Sequence, residues 1–311
     1  MQYRIAQIPK GRGKFRKVYI TSKNDAQRLR SLLPSLEDIQ FYIDNEDVNY
    51  AFVQGKNCAL NALQHIGYKY TLSLDLKDFF DNVKLKHVSR AIPKYILDQC
   101  LIDGTPHQGL PTSPLIATIA FSDCDQKILE SLRVLGIKST YTRYADDLTI
   151  SFNDIQQHNT ILTIVRQITT EFGFKINEEK TRLQNAKNGR VIITGVAING
   201  NEIQQTRRTR RKIRAAKHQN NLASMNGLIE WSKCKLPRSI EKRNYIEHPN
   251  DDLYLELNKP KTHTSKAWTP SSLGQAFTWS PNWSLEIYGH DLLLKINDET
   301  HRVSGEYESN Y

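Results

Sequence analysis

One alternating run sets this chain apart from an ordinary globular domain: Thr140-Tyr-Thr-Arg-Tyr-Ala-Asp-Asp-Leu-Thr-Ile-Ser-Phe152. β-Branched and aromatic residues lie on both sides of the Asp146-Asp147 pair, which predicts two short strands that meet at a tight acidic turn. Two adjacent carboxylates repel each other unless a cation holds them, so a hard divalent metal is their natural partner. The alternative is a solvated hairpin tip, because aspartate is common in turns.

A third carboxylate lies at the end of an earlier strand pattern. The segment is Tyr70-Thr-Leu-Ser-Leu-Asp-Leu-Lys-Asp-Phe-Phe80, and its apolar strand pattern stops at Asp75. With the acidic turn, Asp75 can complete a site for two metal ions about 3.5–4 Å apart, which activates a hydroxyl and stabilises a leaving phosphate oxygen.

A turn-rich stretch separates the two acidic segments. It is His107-Gln-Gly-Leu-Pro-Thr-Ser-Pro114, and it leads into a helical pattern over Leu115–Ile128. Pro114 suits the first turn of this helix, and Thr112 or Ser113 can cap it.

The order of these motifs resembles the reverse transcriptases. Three segments are similar to motifs A, B and C of that family: Asp75 with Phe80, Gln108-Gly-Leu-Pro-Thr-Ser-Pro114, and Tyr144-Ala-Asp-Asp147. The next motif of the family resembles Gly173-Phe-Lys-Ile-Asn177 with Lys180, and the fingers segment that grips a triphosphate resembles Lys14-Phe-Arg-Lys-Val18. The resemblance spans residues 4 to about 235.

Two short motifs narrow the resemblance to bacterial retron reverse transcriptases. Asn61-Ala-Leu-Gln-His65 is similar to their Asn-Ala-x-x-His signature. Ile193-Thr-Gly195 lies where they carry Val-Thr-Gly, with another β-branched apolar residue in place of Val.

The resemblance implies an α+β right-hand polymerase fold. Its expected parts are fingers (1–70), a palm with an antiparallel sheet and inserted fingers helices (71–204), a helical thumb with a basic helix (205–240) and a small C-terminal appendage (241–311). The patterns predict strands at Tyr3–Ile8, Arg16–Thr21, Thr71–Asp75, Lys138–Thr142, Leu148–Phe152 and 190–199 (with a partner at 201–204), and helices at 24–35, 55–67 and 155–172.

The resemblance also assigns roles to individual residues. Asp75, Asp146 and Asp147 would be catalytic, and with the Leu76 carbonyl they would bind two Mg²⁺ ions. Arg16, Phe80, Gln108 and Lys180 would bind the deoxynucleoside triphosphate. Tyr144, Thr194, Gly195, Arg207, Arg208, Arg210, Arg211 and Arg214 would contact primer or template, and Asn61 and His65 would recognise RNA. For His65 the alternative is a buried histidine that caps a turn before Gly67.

Charge is distributed unevenly along the chain. The formal net charge is +10, yet residues 241–311 hold 11 acidic and 7 basic residues, a net of −4, which leaves +14 for residues 1–240. The basic centre, Thr206–Lys217, contains seven Lys and Arg residues in a helix-compatible stretch. A solvated helix face is one interpretation, and a surface that binds a duplex backbone is the other. The apolar segment Gly227–Trp231 would then be thumb core.

The C-terminal 70 residues are the least informative part of the sequence. Leu253–Leu257 and Ser284–Asn297 have strand-like patterns, the latter interrupted at Gly289-His290. Three tryptophans, Trp268, Trp279 and Trp283, lie in this segment and either form the core of a β-rich appendage or present a docking surface for another protein.

Hydropathy, the N-terminal residues and the cysteines indicate the expected cellular compartment. No apolar run approaches the ~20 residues that span a bilayer, and the start of the chain lacks signal-peptide character, so we expect a cytoplasmic protein without membrane contact. The four cysteines, Cys58, Cys100, Cys124 and Cys234, form no Cys-x-x-Cys pair and are interpreted as reduced thiols.

A retron enzyme implies more than polymerisation. Such enzymes start DNA synthesis from a 2′-hydroxyl in a cognate noncoding RNA and make RNA-linked single-stranded DNA (msDNA). The resulting ribonucleoprotein guards an effector protein in anti-phage defence. Two alternatives remain open here: a nucleoprotein scaffold (antitoxin) whose main role is to restrain the effector, and a non-retron bacterial reverse transcriptase.

Overall fold

The computed structural model describes residues 1–11, 13–43 and 48–236, and the backbone of four later strands between 277 and 302. The chain begins with an antiparallel ribbon of β1 (Tyr3–Gly11) and β2 (Lys14–Thr21). Both predicted strands of this ribbon are confirmed. The strand Leu253–Leu257 predicted in the C-terminal segment lies outside the described residues.

A four-stranded antiparallel sheet has the order β4-β5-β3-β6. Its strands are β3 (Tyr70–Asp75), β4 (Ser139–Tyr144), β5 (Asp147–Phe152) and β6 (Arg182–Asn185). The three strands predicted from alternation are confirmed. β6 was not predicted, because Arg182-Leu-Gln-Asn185 is short and mostly polar.

Helices pack around this sheet. They are α1 (Lys23–Ser31), α2 (Leu33–Ile43), α3 (Cys58–Leu63), α4 (Phe79–Asn82), α5 (Leu85–Val88), α6 (Lys94–Cys100), α7 (Ser113–Val134) and α8 (His158–Glu171). The single helix predicted over 24–35 is two helices that meet at Leu32. At the start of α7 Pro114 takes the predicted place, but Thr112 makes no side-chain capping bond.

The central core forms where α7 lies across the sheet. Side chains of α7 such as Ile116, Phe121 and Ile128 are fully buried and pack with Leu72, Ile150 and other sheet residues. Aromatic rings of Phe79, Phe121 and Phe174 meet in edge and tilted contacts with centroids 4.9–5.8 Å apart. This apolar platform supports the end of β3 at which Asp75 lies.

A second sheet has the order β7-β8-β9. Its strands are β7 (Val191–Ile193), β8 (Val196–Asn199) and β9 (Glu202–Gln205). The prediction of one strand over 190–199 is therefore wrong. Thr194 and Gly195 both have positive φ, +45° and +82°, so the chain reverses there and makes a hairpin.

Two helices follow, α9 (Arg207–His218) and α10 (Leu222–Ser232). Thr206 caps α9 by accepting a hydrogen bond from the N–H of Thr209 at 3.2 Å. The expectation that Gly227–Trp231 forms a core is wrong for the described residues, because α10 has no buried residue and 37% of Trp231 is exposed.

Part of the C-terminal segment forms a four-stranded antiparallel sheet of sequential hairpins. Its strands are β10 (Phe277–Ser280), β11 (Trp283–Tyr288), β12 (Asp291–Ile296) and β13 (Glu299–Arg302). The predicted interruption at Gly289-His290 lies outside the described residues, and the described strands end at Tyr288 and resume at Asp291. The boundaries of fingers, palm, thumb and appendage stay predictions.

Among the described residues, no helix is both long enough and apolar enough to cross a membrane.

The ribbon joins the rest of the fold through an unusually close backbone approach. The N–H of Tyr19 donates to the carbonyl of Gln108 at 2.8 Å, and the rings of Tyr19 and His107 stack at 3.9 Å between centroids. A Cβ on Gly109 would lie 2.4 Å from the Tyr19 carbonyl oxygen. Gly109 also has φ +105°, so glycine is required there for β2 to dock.

Replacing Gly109 by alanine should loosen this docking. Gly109→Ala is expected to destabilise the fold and to speed hydrogen exchange of the Tyr19 N–H, because the added Cβ collides with backbone. Gly136→Ala is the matched control, since Gly136 also has positive φ but has nothing within 4 Å of the added atom. Equal exchange at Tyr19 in both variants would contradict this reading of the contact.

Candidate active site

Strand register brings the three predicted carboxylates together. Asp75, the last residue of β3, pairs directly with Asp147, the first residue of β5. Across the β4–β5 hairpin, Tyr144 pairs with the same Asp147, which leaves Ala145 and Asp146 as a two-residue turn. Ala145 has φ +58°, and the N–H of Leu76 donates to the Asp146 carbonyl at 2.9 Å. The acidic turn is thus hydrogen-bonded to the end of β3, so it is not an isolated hairpin tip surrounded by solvent.

The carboxylates affect one another electrostatically. Desolvation raises the pKa of Asp146, and the negative charge of Asp75 adds to the effect. Asp147 keeps an exposed face, yet desolvation and the charges of Asp146 and Asp75 raise its pKa to about 6. Adjacent acids with raised pKa values favour a cation between them.

Lys180 supplies one positive charge at this site. Its Nζ lies 2.7 Å from Oδ1 of Asp75, and this hydrogen bond raises the pKa of Lys180. Asn177 donates its backbone N–H to the carbonyl of Asp75 at 2.7 Å and its Nδ2 to Oδ2 at 3.3 Å. The segment around 177–180 therefore orients Asp75. The role of Lys180 toward a triphosphate stays a prediction.

The other predicted nucleotide-pocket residues lie on β2, on α4 and in the stretch before α7. Arg16 is exposed on β2, and its positive charge acts to lower the pKa of Asp146 against the larger opposing effect of burial. Phe80 is half-buried on α4, with its ring 5.7 Å from that of Phe79. Gln108 is held by β2 through its carbonyl, and its Oε1 is buried without a hydrogen-bond partner among the described residues.

One functional group was missed by sequence reasoning: Arg143, the residue immediately before Tyr144. Its side chain is 1% exposed and forms an ion pair with Asp125 of α7, with Nη2 2.7 Å from Oδ2. Tyr141 donates its hydroxyl to Oδ1 of the same Asp125 at 2.6 Å. The guanidinium also lies over the Phe121 ring at 5.1 Å, so this buried charge is paired and enclosed.

Arg143 also connects the acidic turn to neighbouring chain. Its Nη1 reaches the Ala145 carbonyl at 3.5 Å. Its backbone N–H donates to Val48, and its carbonyl accepts from the N–H of Tyr50, at 2.9 and 2.8 Å. The sequence did hold a signal for this pair, namely a charged residue at a core position of each element. Arg143 lies within the alternating pattern of β4, and Asp125 lies between Phe121 and Ile128 on one face of α7.

Asn61 and His65 do not lie at an RNA-accessible surface. Asn61 is 0% exposed and His65 is 2% exposed. The His65 ring nitrogens bond to the Ser151 and Thr142 hydroxyls at 2.9 and 2.7 Å, and burial lowers the pKa of His65 to about 3. This placement favours the buried-histidine alternative over direct RNA contact.

The predicted primer and template residues lie in two places. Thr194 and Gly195 form the β7–β8 turn, and the indole edge of Trp231 lies 3.4 Å from where a Cβ on Gly195 would be. The five predicted arginines of α9 are all exposed, whereas Thr209 and Ala216 on the other side of the helix are buried. A surface groove is lined by Gln205, Arg207, Arg210, Arg211, Ile213 and Arg214.

Comparison with known proteins identifies the class. Residues 8–239 match the reverse transcriptase (RNA-dependent DNA polymerase) family, and the chain therefore belongs to that family. It is 34% identical over 172 residues to the retron Ec73 reverse transcriptase of Escherichia coli, and this alignment covers 48% of this chain and 54% of that protein. It is 28% identical over 228 residues to the retron Mx65 reverse transcriptase of Myxococcus xanthus, covering 62% and 52%. The resemblance to bacterial retron reverse transcriptases is thereby confirmed.

These matches have a limited extent. The chain spans about half the length of these two curated relatives. Among solved structures, a telomerase from Candida albicans in complex with a fragment of telomeric RNA aligns with a TM-score of 0.52 at 12% identity, covering 66% of this chain and 46% of that chain. At this identity the likeness shows the fold alone, and the predicted α+β right-hand polymerase fold is confirmed.

Removing the counter-charge of Arg143 should be costly. Asp125→Asn keeps the shape of the side chain but leaves a buried guanidinium without its ion pair, so we expect a loss of about 3–5 kcal/mol in the free energy of unfolding. Denaturant titration of the full chain measures it. Asp123→Asn, an exposed carboxylate on the same helix, should cost less than about 0.5 kcal/mol. Similar losses in the two variants would show that the pair contributes little.

Proposed function

We propose that this chain copies RNA into DNA at the site formed by Asp75, Asp146 and Asp147. The observation that carries this proposal is the β3–β5 register, which sets Asp75 opposite Asp147 beside the Asp146 turn. Three carboxylates at one edge of a sheet, with a lysine and an arginine nearby, suit the transfer of a nucleotidyl group from a triphosphate.

The donor chemistry of the site fits Mg²⁺. All three side chains offer carboxylate oxygens, which hard divalent cations prefer. Desolvation, with the charges of neighbouring acids, raises the pKa of Asp146 and of Asp147, which a bound cation would oppose. We assign Asp75 and Asp146 to hold two ions, with Asp147 and the Leu76 carbonyl as support. Bound ions would lower the pKa of the primer hydroxyl and stabilise charge on the phosphates. Lys180, now on Oδ1 of Asp75, would then be free to turn toward the nucleotide.

The remaining residues bind and orient the nucleotide. Arg16 neutralises the triphosphate, and Lys180 donates a proton to the departing pyrophosphate. Phe80 lies beneath the sugar and excludes a 2′-hydroxyl, and Gln108 lines the pocket. Tyr144 rests against the primer end. These roles follow the family pattern. Their support is the contact of Lys180 with Asp75, the effect of the Arg16 charge on Asp146 and the place of Tyr144 beside the acidic turn.

The exposed arginines of α9 would contact the primer–template backbone, together with the Thr194-Gly195 turn. The groove beside them is lined by four arginines, Arg207, Arg210, Arg211 and Arg214. Phosphate contacts of this kind make binding depend on salt, because each neutralised phosphate releases condensed counterions.

Loss of one central carboxylate should abolish synthesis. Asp146→Asn should fold normally and fail to extend a DNA primer on an RNA template with dNTPs and Mg²⁺, because the amide removes a charge needed at the reacting phosphates. Asp98→Asn, an exposed acid on α6, is the control and should retain full activity. A normal rate in Asp146→Asn would overturn the assignment of the site.

We further propose that the chain acts in a retron. It would recognise a cognate structured noncoding RNA, prime from an RNA 2′-hydroxyl and retain the msDNA product, in a defence ribonucleoprotein that controls an effector protein. The similarity to retron reverse transcriptases supports this, as do the Asn61–His65 and Ile193–Gly195 motifs.

Nucleic acid bound in cells tests the retron proposal. The protein purified from cells that carry its native locus should contain a discrete DNA whose mobility shifts after RNase treatment. A DNase-sensitive, RNase-shifted band would support an RNA-linked product. RNA without DNA, in a protein that still extends an RNA-templated primer, would remove the retron role and keep the polymerase.

A further inference from the structure

Helix α3 and the residues that follow it lie between two functional parts of the molecule. On one side is the β4–β5 hairpin with the catalytic acids, and on the other is the Thr194-Gly195 turn between β7 and β8. All residues from Ala59 to Leu63 are buried, as is His65. A segment so enclosed cannot present its side chains to a ligand, so its polar groups act within the protein.

His65 fastens this segment to the catalytic hairpin. One ring nitrogen bonds to Thr142 on β4 at 2.7 Å and the other to Ser151 on β5 at 2.9 Å. Each partner lies four residues from a catalytic acid, Thr142 before Asp146 and Ser151 after Asp147. Because the two bonds reach both strands, His65 fixes the hairpin as a unit.

The other side of α3 contacts the Thr194-Gly195 turn. The Thr194 hydroxyl donates to the Cys58 carbonyl at 3.4 Å, and Nδ2 of Asn61 reaches the same hydroxyl at 3.5 Å. Apolar packing reinforces these long bonds in a second core, formed by Tyr50, Leu60, Ala62, Leu63, Ile66, Val191, Ile193, Val196 and Ile198. Tyr144, next to the acidic turn, packs partly against the same core.

We propose that Asn61 and His65 are positioning residues: through α3 they set the distance between the catalytic aspartates and the Thr194-Gly195 turn, and thereby the position of the primer end. This inference rests on the proposed function, which places the primer at that turn. It replaces the RNA-recognition role expected from the sequence. A misplaced primer end lowers the rate of the chemical step more than it lowers binding.

The test uses isosteric pairs that remove one hydroxyl at each end of α3. Thr142→Val leaves a His65 nitrogen without its partner, and Thr194→Val removes the hydroxyl that contacts Asn61 and Cys58. Thr142→Ser and Thr194→Ser keep the hydroxyls and serve as the rescue controls. The full chain would be assayed on a generic substrate, oligo(dT) annealed to poly(rA), which carries no cognate RNA structure.

Each valine variant is expected to lose about tenfold or more in kcat on this substrate. Its Kd for the primer–template should stay within about twofold of the wild type, because the hydroxyls removed bond within the protein, Thr142 to His65 and Thr194 to Cys58 and Asn61. The serine variants should recover most of the rate. If the motifs instead read the cognate RNA, the valine variants would keep full kcat on the generic substrate, and the inference would be overturned. A rate lost equally in the serine variants would also overturn it, because the hydroxyl contacts would then be irrelevant.

Thermal melting and the activity of the wild type distinguish a lost positioning role from unfolding and from the absence of polymerase activity. Thermal melting of each variant identifies global unfolding, and if Thr142→Val unfolds, the Thr194 pair decides alone, since Thr194 lies on a partly exposed turn. A wild-type protein that incorporates no dTTP would refute the proposed polymerase function itself. An active wild type with fully active valine variants would refute only the positioning role.

Discussion

The pairing of β3 with β5 is the constraint on which the site depends. Side chains alternate between the faces of a strand, so a slip of one residue would move Asp75 away from Asp147 and turn the buried Leu72 and Leu74 toward the opposite face. The apolar residues of β3 and β5 therefore select the register, and the register sets the acids opposite each other. The placement of the acids and the burial of the apolar side chains are consequences of one strand alignment.

Bringing three carboxylates together is unfavourable, and the fold offsets this with rigid support. Lys180 and Asn177 orient Asp75 from one side. On the other side, Arg143 and Asp125 form a buried pair beneath the acidic turn. A buried ion pair is weak grounds for stability, because desolvation opposes the attraction, but it restricts geometry: its charges tolerate few other arrangements. The Ala145 backbone, held at positive φ, stays in place next to this pair.

The sequence was sufficient to predict those features whose charged residues lie within a single strand or helix pattern. The acidic turn, the end of β3 and the basic helix α9 were all found from local residues, because strand alternation and charge are visible over a few positions. The Arg143–Asp125 pair was not found, since its partners are 18 residues apart and only the packing of α7 across the sheet joins them. The break at Thr194-Gly195 was missed for another reason: a continuous alternation of apolar residues does not reveal a two-residue reversal.

Asn61 and His65 are enclosed within the protein, so any part they play in the proposed function is exerted through their contacts with other residues. A buried histidine with both nitrogens bonded is costly to assemble, and a substitution that removes the ring takes away the bond of Nε2 to the Thr142 hydroxyl of β4 and the bond of Nδ1 to the Ser151 hydroxyl of β5. In the proposed positioning role, the spacing that His65 enforces offsets this cost. Here the enforced spacing runs from the acidic turn through α3 to the β7–β8 turn, and Trp231 of α10 contacts that same turn at Gly195. Asn61 and His65 thus lie at the point where the β4–β5 hairpin, the β7–β8 turn and α10 are joined.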